Sequence, residues 1–443
     1  MRKRPESRIA ASKNRANERA RERSNSQSNS DKKKEVERMK DGNNTEIEEE
    51  YILRYIDVSE ELRMEMVGIR HDLHKNPEVS WQEYETTSYL HRYISQLDGI
   101  EWVDFGLETG CVALLKGGHA GKTVALRADI DALHGEETYC SDCMSCVPHV
   151  AHLCGHDMHM ASLCGAARML SVHRSDLHGD VLLIFQPAEE TTNGAQCLID
   201  RGLYEKVPFD AVFGLHNRPE SETGRIIVKQ GGLMAAKINF KISIYGVGGH
   251  GSMPHKCVDP IVCAAGIVQN VLTIPSRNVD PMESIVLSIC SIHGGTPDNL
   301  IVDEVEMTGS MRYLDRATGE RALERLRKVV SSTAETFECR CSFEIVDRID
   351  AVDNSASLYE IARSAAVDAV GVDNIESTRG CLATEDFSAY MKCAPGFFYW
   401  LGNRKRGDDV YSWHHTKFHA DDEALVYGAR VLAASVWRFL GFA

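Results

Sequence analysis

The stretch "DVLLIFQPAEE" (residues 180–190) carries five apolar residues, Val181 to Phe185, and then stops abruptly in a proline and two acids. Two other runs share its design. "TVALRADIDAL" (123–133) precedes it and "FDAVFGLHN" (209–217) follows it, each an apolar run that ends in polar residues. Helical patterns separate the runs, notably "DMHMASLCGAARML" (157–170). Short β-rich runs alternating with helices indicate an α/β fold, with a mostly parallel sheet flanked by helices. In such open sheets, ligands bind beyond the carboxyl ends of the strands. That edge is where Asp129 and Asp131, then Glu189 and Glu190, then His216 fall.

Working outward, the rhythm changes near residue 233. "KINFKISIYG" (237–246) alternates apolar and polar residues, as a strand with one covered face does. A helix, two strands, a charged amphipathic helix and a last strand follow. The order βαββαβ predicts a ferredoxin-like insert over 233–348, with two helices on one face of an antiparallel sheet. The chain then returns to helices, a strand at "GFFYWLG" and a closing helix. The first domain is thus expected to use both ends of the chain, 46–232 and 349–443. A chain of 443 residues is too long for one ordinary core, which agrees with two domains.

Residues 1–45 stand apart, being rich in Arg, Lys, Ser and Asn and nearly free of large apolar residues, so a disordered tail is expected. Residues 1–34 hold 12 Lys and Arg against 4 Asp and Glu, which leaves a charge of −23 on the remainder of a chain with net charge −15. A body that acidic is a poor nucleic-acid surface. No apolar run reaches the roughly 18 residues that suggest a membrane span. The fourteen cysteines come without an export signal, so reduced thiols in a cytoplasmic protein are expected.

The densest chemistry lies in "VAHLCGHDMHM" (150–160), where Cys154, His156, Asp157 and His159 offer sulfur, imidazole and carboxylate within one turn. With Glu189, Glu190 and His216 there are donors enough for two divalent ions. Zn²⁺ accepts such a mixed set, whereas Mg²⁺ and Ca²⁺ prefer oxygen alone. Adjacent acids at a strand end diverge, so one can bind metal while the other faces substrate and water as a general base. Each residue alone reads more simply as a packed or surface side chain. The convergence of three strand-end clusters is what favours a metal centre.

"RHDLHKNPEVSWQEYET", "ALRADIDAL", "HLCGHDMH", "FQPAEET", "GLHN", "GGHGSMPH", "TPDNLIVDEVEMTGSMR", "ATEDFSAYM" and "WHHTKFHADDEAL" occur in that order. Together they resemble the aminoacylase/carboxypeptidase superfamily of metallohydrolases, in the amidohydrolase branch that includes hippurate and auxin-conjugate hydrolases. The resemblance spans about residues 55 to 440. It implies a catalytic domain holding two divalent ions per subunit, zinc or manganese first and cobalt or nickel as substitutes, and an inserted lid through which two chains form a homodimer. It implies Cys154, His156, Glu190, His216 and His414 as metal ligands, His414 being the histidine of "WHHTKF" that aligns on Phe418. It also implies Glu189 as general base and Asp131 as the acid that orients a ligand histidine. His250, Asn299 and Arg312 correspond to lid residues that contact substrate, His250 as a catalytic donor. Two departures stand out. His134 and Thr416 replace prolines, and the loop "CSDCMSC" with Cys140, Cys143 and Cys146 is not part of the family pattern; plain thiols are expected there.

The expected activity is hydrolysis of the amide bond of N-acyl amino acids by metal-activated water and Glu189. The partner is a small substrate, with no nucleic acid and no membrane. A carboxypeptidase or dipeptidase on the same scaffold breaks the same bond and is the nearest alternative. A thiol or iron–sulfur redox protein using "CSDCMSC" and a non-catalytic binding homologue belong to other classes. The second of these would have lost its base or ligands, and Glu189 and Glu190 are both present.

Overall fold

A computed structural model describes residues 52–139, 141–191, 193–295 and 297–441. The tail expected over residues 1–45, and Cys140, lie outside the described residues. In chain order the first elements are α1 (Glu60–Lys75), α2 (Tyr84–Ile94), β1 (Ile100–Trp102), β2 (Cys111–Leu115), β3 (His119–Asp129), α3 (His156–Val172), β4 (His178–Gln186), β5 (Ala211–Glu222) and β6 (Ile226–Ile227). Then come β7 (Ala236–Tyr245), α4 (Pro260–Val271), β8 (Ile285–His293), β9 (Glu304–Tyr313), α5 (Arg316–Thr336) and β10 (Arg340–Ile349). The chain closes with α6 (Tyr359–Val370), β11 (Ile375–Glu376), β12 (Gly396–Arg404) and α7 (Ala424–Leu440). Among the described residues, no helix is long and apolar enough to cross a membrane.

The large sheet runs β1-β2-β4-β3-β5-β12-β6-β11. Its centre is parallel, from β4 through β3 and β5 to β12. The flanks are not. β1–β2, β2–β4 and β12–β6 pair antiparallel. The sheet is therefore mixed, where the alternation of strands and helices alone suggests a mostly parallel one. The central strands each carry an apolar run because both faces are covered. Val181 to Phe185 of β4 and Phe397 to Leu401 of β12 are all buried.

Helix α3 packs between α1, α7 and β3, and α6 lies against α7. Local sequence sets the ends of these helices. Ser59 caps α1 by accepting from Leu62 N–H at 3.2 Å, and the helix stops two residues before Pro77. Gly165 lets α3 approach its neighbours. A Cβ there would press on Met66 of α1 and come 3.0 Å from Ala429 Cβ of α7.

The second sheet runs β8-β9-β7-β10, every pair antiparallel. Alternate residues of β7 (Ile238, Phe240, Ile242) are buried in a core shared with Ile267 of α4 and Leu326 of α5. Asp259 caps α4, with Pro260 at its first position, and Asp315 caps α5 through Thr318 N–H at 2.7 Å. The opposite face of β7 carries Lys237, Asn239 and Lys241, half-buried or paired with acids from neighbouring strands.

Candidate active site

The chain leaves β3 toward β4 on one side and leaves β5 toward the other side of the sheet, so the carboxyl ends of β3 and β5 bound a crevice. Asp129 ends β3, and Asp131 follows it. The turn after β4 supplies Glu189 and Glu190. His216 and Asn217 lie on β5, while Cys154 and His156 open α3. Gly155, at the cap of α3, has φ +83°, and a Cβ there would come 2.5 Å from Asn217 Nδ2. Only glycine fits both constraints.

Two other turns at the site hold left-handed backbone without glycine: Ala188 (φ 54°) and His414 (φ 67°). Such positions persist only where the surroundings enforce them. Glu83 Oε1 accepts from Ala188 N–H at 2.8 Å, and the carbonyl of Leu153 accepts from His414 N–H at 2.8 Å.

His156 Nδ1 donates to the Asp131 carbonyl at 2.8 Å, with Asp131 Oδ1 at 3.2 Å. In the neutral imidazole that bond leaves the Nε2 lone pair free for a metal. That atom is buried, has no hydrogen-bond partner, and lies 3.8 Å from Glu190 Oε1, which is buried and unpartnered as well. His414 Nε2 approaches the same oxygen at 3.3 Å. His216 donates through Nδ1 to the Asn217 carbonyl at 2.9 Å, which leaves its Nε2 3.4 Å from Cys154 Sγ. Donor atoms of Cys154, His156 and Glu190 all lie within 4.8 Å of one another. Asp131 ties the group together, since its Oδ2 also accepts from Ser80 Oγ at 2.6 Å and from Glu190 N–H at 3.0 Å.

The charge at the site is out of balance in a way that a divalent cation corrects. Burial pushes the Cys154 thiol well up, and Glu190, Glu189 and Asp129 push it further. Burial works against charging His156, yet Asp129 and Asp131 outweigh it and raise the imidazole to about 10. Burial, then the neighbouring acids Glu385 and Glu190, hold the Glu189 carboxyl well above its usual range. Crowded acids, a neutral thiol and two orphaned buried acceptors fit a bound metal, which turns Cys into thiolate and His into a neutral ligand.

Not every donor of the 150–160 stretch is left free for a metal, although His159 forms a second group of potential donors with Asp129, His156 and His216, all within 4.8 Å of one another. Asp157 Oδ2 turns to α1, where it accepts from Arg70 Nε and His74 Nδ1, both at 2.9 Å. His159 spends both nitrogens on protein: Nδ1 donates to Asp129 Oδ1 at 2.6 Å, and Nε2 accepts from Asn217 N–H at 2.9 Å. Both residues position the site.

A cavity of about 420 Å³ opens over the cluster, lined by Glu189, Glu385, Lys237, Arg312, Trp413 and His414 among others. Arg312 thus faces the site, on the small sheet. His250 and Asn299 do not line this cavity. They are exposed neighbours, in or beside the short antiparallel pair Gly249–His250 and Leu300–Ile301, with Gly251 N–H bonded to the Asn299 carbonyl at 2.9 Å. Among the described residues, neither Cys143 nor Cys146 joins a group of three potential metal donors.

Two features escape a reading of the sequence. Buried Arg127 donates to Gln186, Asp129, Glu385 and Asp386 at 2.8–3.0 Å, gathering acids from β3 and the "EDF" segment. Glu385 then stands beside Glu189 with Oε2 buried and unpartnered, and burial pushes its carboxyl up to about 8 against the pull of Arg127. The second is Lys237, whose alternating strand reads as an ordinary solvated face.

The family model for peptidase family M20/M25/M40 matches residues 125–438. The N-acetylcysteine deacetylase of Bacillus subtilis is 36% identical over 369 residues, 83% of this chain and 95% of that one. Thermostable carboxypeptidase 2 of Saccharolobus solfataricus is 37% identical over 381 residues, 84% of this chain and 95% of its own. Among solved structures, the Bacillus subtilis YXEP protein, described as a dinuclear metal-binding peptidase, superposes with a TM-score of 0.75 at 32% identity, covering 86% of this chain and 99% of that one.

Proposed function

The chain belongs to peptidase family M20/M25/M40, and on that footing we propose that it hydrolyses the amide bond of N-acyl amino acids with two divalent ions held by Cys154, His156, Glu190, His216 and His414. The observation that carries this reading is the pair of orphaned buried acceptors, His156 Nε2 and Glu190 Oε1, with Cys154 beside them and Glu189 on the cavity wall. When bound, such ions polarise the scissile carbonyl and lower the pKa of water toward about 7. Zinc or manganese suits the donor set, and cobalt or nickel can substitute.

The protein's own groups supply the remainder. Glu189 accepts the proton of the attacking water at its carboxylate and delivers it to the leaving amine. Asp131 fixes the tautomer of His156 and so keeps Nε2 available. Arg312, across the cavity, offers its guanidinium to the carboxylate of the substrate. Residues 233–348 act as lid and dimerisation domain, and the partner subunit's His250 and the partner subunit's Asn299 complete the site, which accounts for the exposure of both residues in a single chain.

A carboxypeptidase reading keeps the same bond and the same machinery, and the similarity to the Saccharolobus enzyme favours it as the second reading. Stripped enzyme reloaded with each metal and offered N-acetyl and N-benzoyl amino acids beside dipeptides separates the two. Turnover of the N-acyl compounds is expected. Turnover of dipeptides alone sinks the first reading.

A further inference from the structure

Lys237 and Arg312 sit directly opposite one another on β7 and β9, and both line the catalytic cavity. Opposed residues of adjacent strands put their side chains on the same face, a few ångströms apart. The two cations therefore form one electropositive wall facing the cluster of Cys154, Glu190 and His216. Arg312 spends one N–H on the Leu382 carbonyl at 2.6 Å, which leaves the rest of its five donors for other acceptors. Lys237 is 16% exposed, and Asp347 Oδ2 holds its ammonium at 2.9 Å from the more open side, at 40% exposure. That contact uses one of three donors and fixes the long side chain in place.

Resting on the N-acyl amino acid reading, we infer that Lys237 and Arg312 together select an N-acylated dicarboxylic amino acid, of the aspartate or glutamate class, by binding its two carboxylates side by side. One carboxylate needs one cation. A second cation, half-buried at the same cavity wall, keeps two ammonium donors beyond its pair with Asp347, and a substrate with a neutral side chain offers them no carboxylate. The carboxylates of a dicarboxylic amino acid are separated by a few bonds, which suits neighbouring cations on one face. A second acid on the acyl group would lie across the scissile bond, away from that face. The cavity, about 420 Å³, holds a ligand of this size.

The test compares N-acetyl-L-glutamate and N-acetyl-L-aspartate with their near-isosteric amides, N-acetyl-L-glutamine and N-acetyl-L-asparagine, on metal-loaded enzyme. At least one acid is expected to exceed its amide by about tenfold or more in kcat/KM, as a site built for a charged group rejects the analogue that lacks it. Lys237→Met should collapse that ratio to near one, and Lys237→Arg should keep it. Calorimetry on metal-loaded Glu189→Gln protein should show N-acetyl-L-glutamate binding that weakens when Lys237→Met is added. Equal rates for acid and amide in the unaltered enzyme, or a preference that survives Lys237→Met, overturn the inference. Hydrolysis of neutral N-acyl amino acids without preference for the acids sinks this inference alone. Failure to hydrolyse any N-acyl amino acid sinks the underlying reading with it.

Discussion

At the carboxyl edge of the large sheet, Asp129, Asp131, His156, His159 and His216 are all buried. Around the small sheet, His250 and Asn299 are exposed in or beside a separate two-stranded pair, and Lys237 and Arg312 on the sheet itself are half-buried at the cavity. Both regions are polar, yet they spend that polarity differently. In the first, most donors and acceptors are matched inside the protein, and among the unmatched ones His156 Nε2 and Glu190 Oε1 lie 3.8 Å apart beside Cys154. In the second, the groups are supported by backbone or by one ion pair and keep donors to spare for something that arrives.

Glu189→Gln strikes the buried region hardest. It keeps shape and hydrogen bonding but takes no proton, so turnover is expected to fall by about 10²–10⁴-fold while metal content, read by elemental analysis, holds. Glu190→Gln should instead lower metal content. Near-full activity of the first variant, or metal loss from it, would erase the distinction between the two acids.

His250→Ala probes the exposed side of the comparison. A donor aimed at developing charge is worth about 10²–10³-fold in kcat, and metal content should not move. Mixing the inactive Glu189→Gln and His250→Ala proteins should restore part of the activity if each site draws His250 from the partner subunit. Heterodimers that form and stay dead would confine His250 to its own chain.

Asp131→Asn loosens the knot beneath His156 and Glu190 without removing a ligand. About 10–100-fold in metal affinity or activity is the usual cost of losing such support, to be measured by competition with a chelator. Gly165→Val should have the smallest effect, and on stability alone. Overpacking at the α1–α3–α7 contact costs about 1–3 kcal/mol, visible as a lower Tm with kcat unchanged below the transition. A change in kcat there would mean that the helices and the site move together.

Much of this was legible in residue order. Apolar runs ending in acids place the carboxyl edge of an α/β sheet, and the alternation over 237–246 places a strand with one covered face, which β7 has. What escaped depends on direction. Asp157 follows His156 by one position and points about 100° away from it, whereas His159, three positions on, shares the face of His156 but has both ring nitrogens bonded to protein. Asp157 therefore meets Arg70 on α1, and His159 meets Asn217 on β5. The antiparallel pairs at the flanks of the large sheet leave no mark in an apolar run, because strand polarity is not a property of composition. Glu385 lies 196 positions after Glu189 in the chain and stands beside it in the fold, where buried Arg127 holds it.

The Asp131 knot has a consequence for how the enzyme lives with its metals. His156, the Glu190 backbone and Ser80 are each anchored to Asp131 by bonds that involve no ion. A small zinc domain collapses when its ion leaves, because the ion is most of its fold. Here the socket is built from protein–protein bonds on a large covered sheet, so the ion is cargo for a finished receptor. Chelation should then lower Tm only by the mass-action increment of lost binding and leave a folded chain. Such a socket can be emptied and refilled within the lifetime of one molecule, and the supply of metal around it would decide which ion it carries.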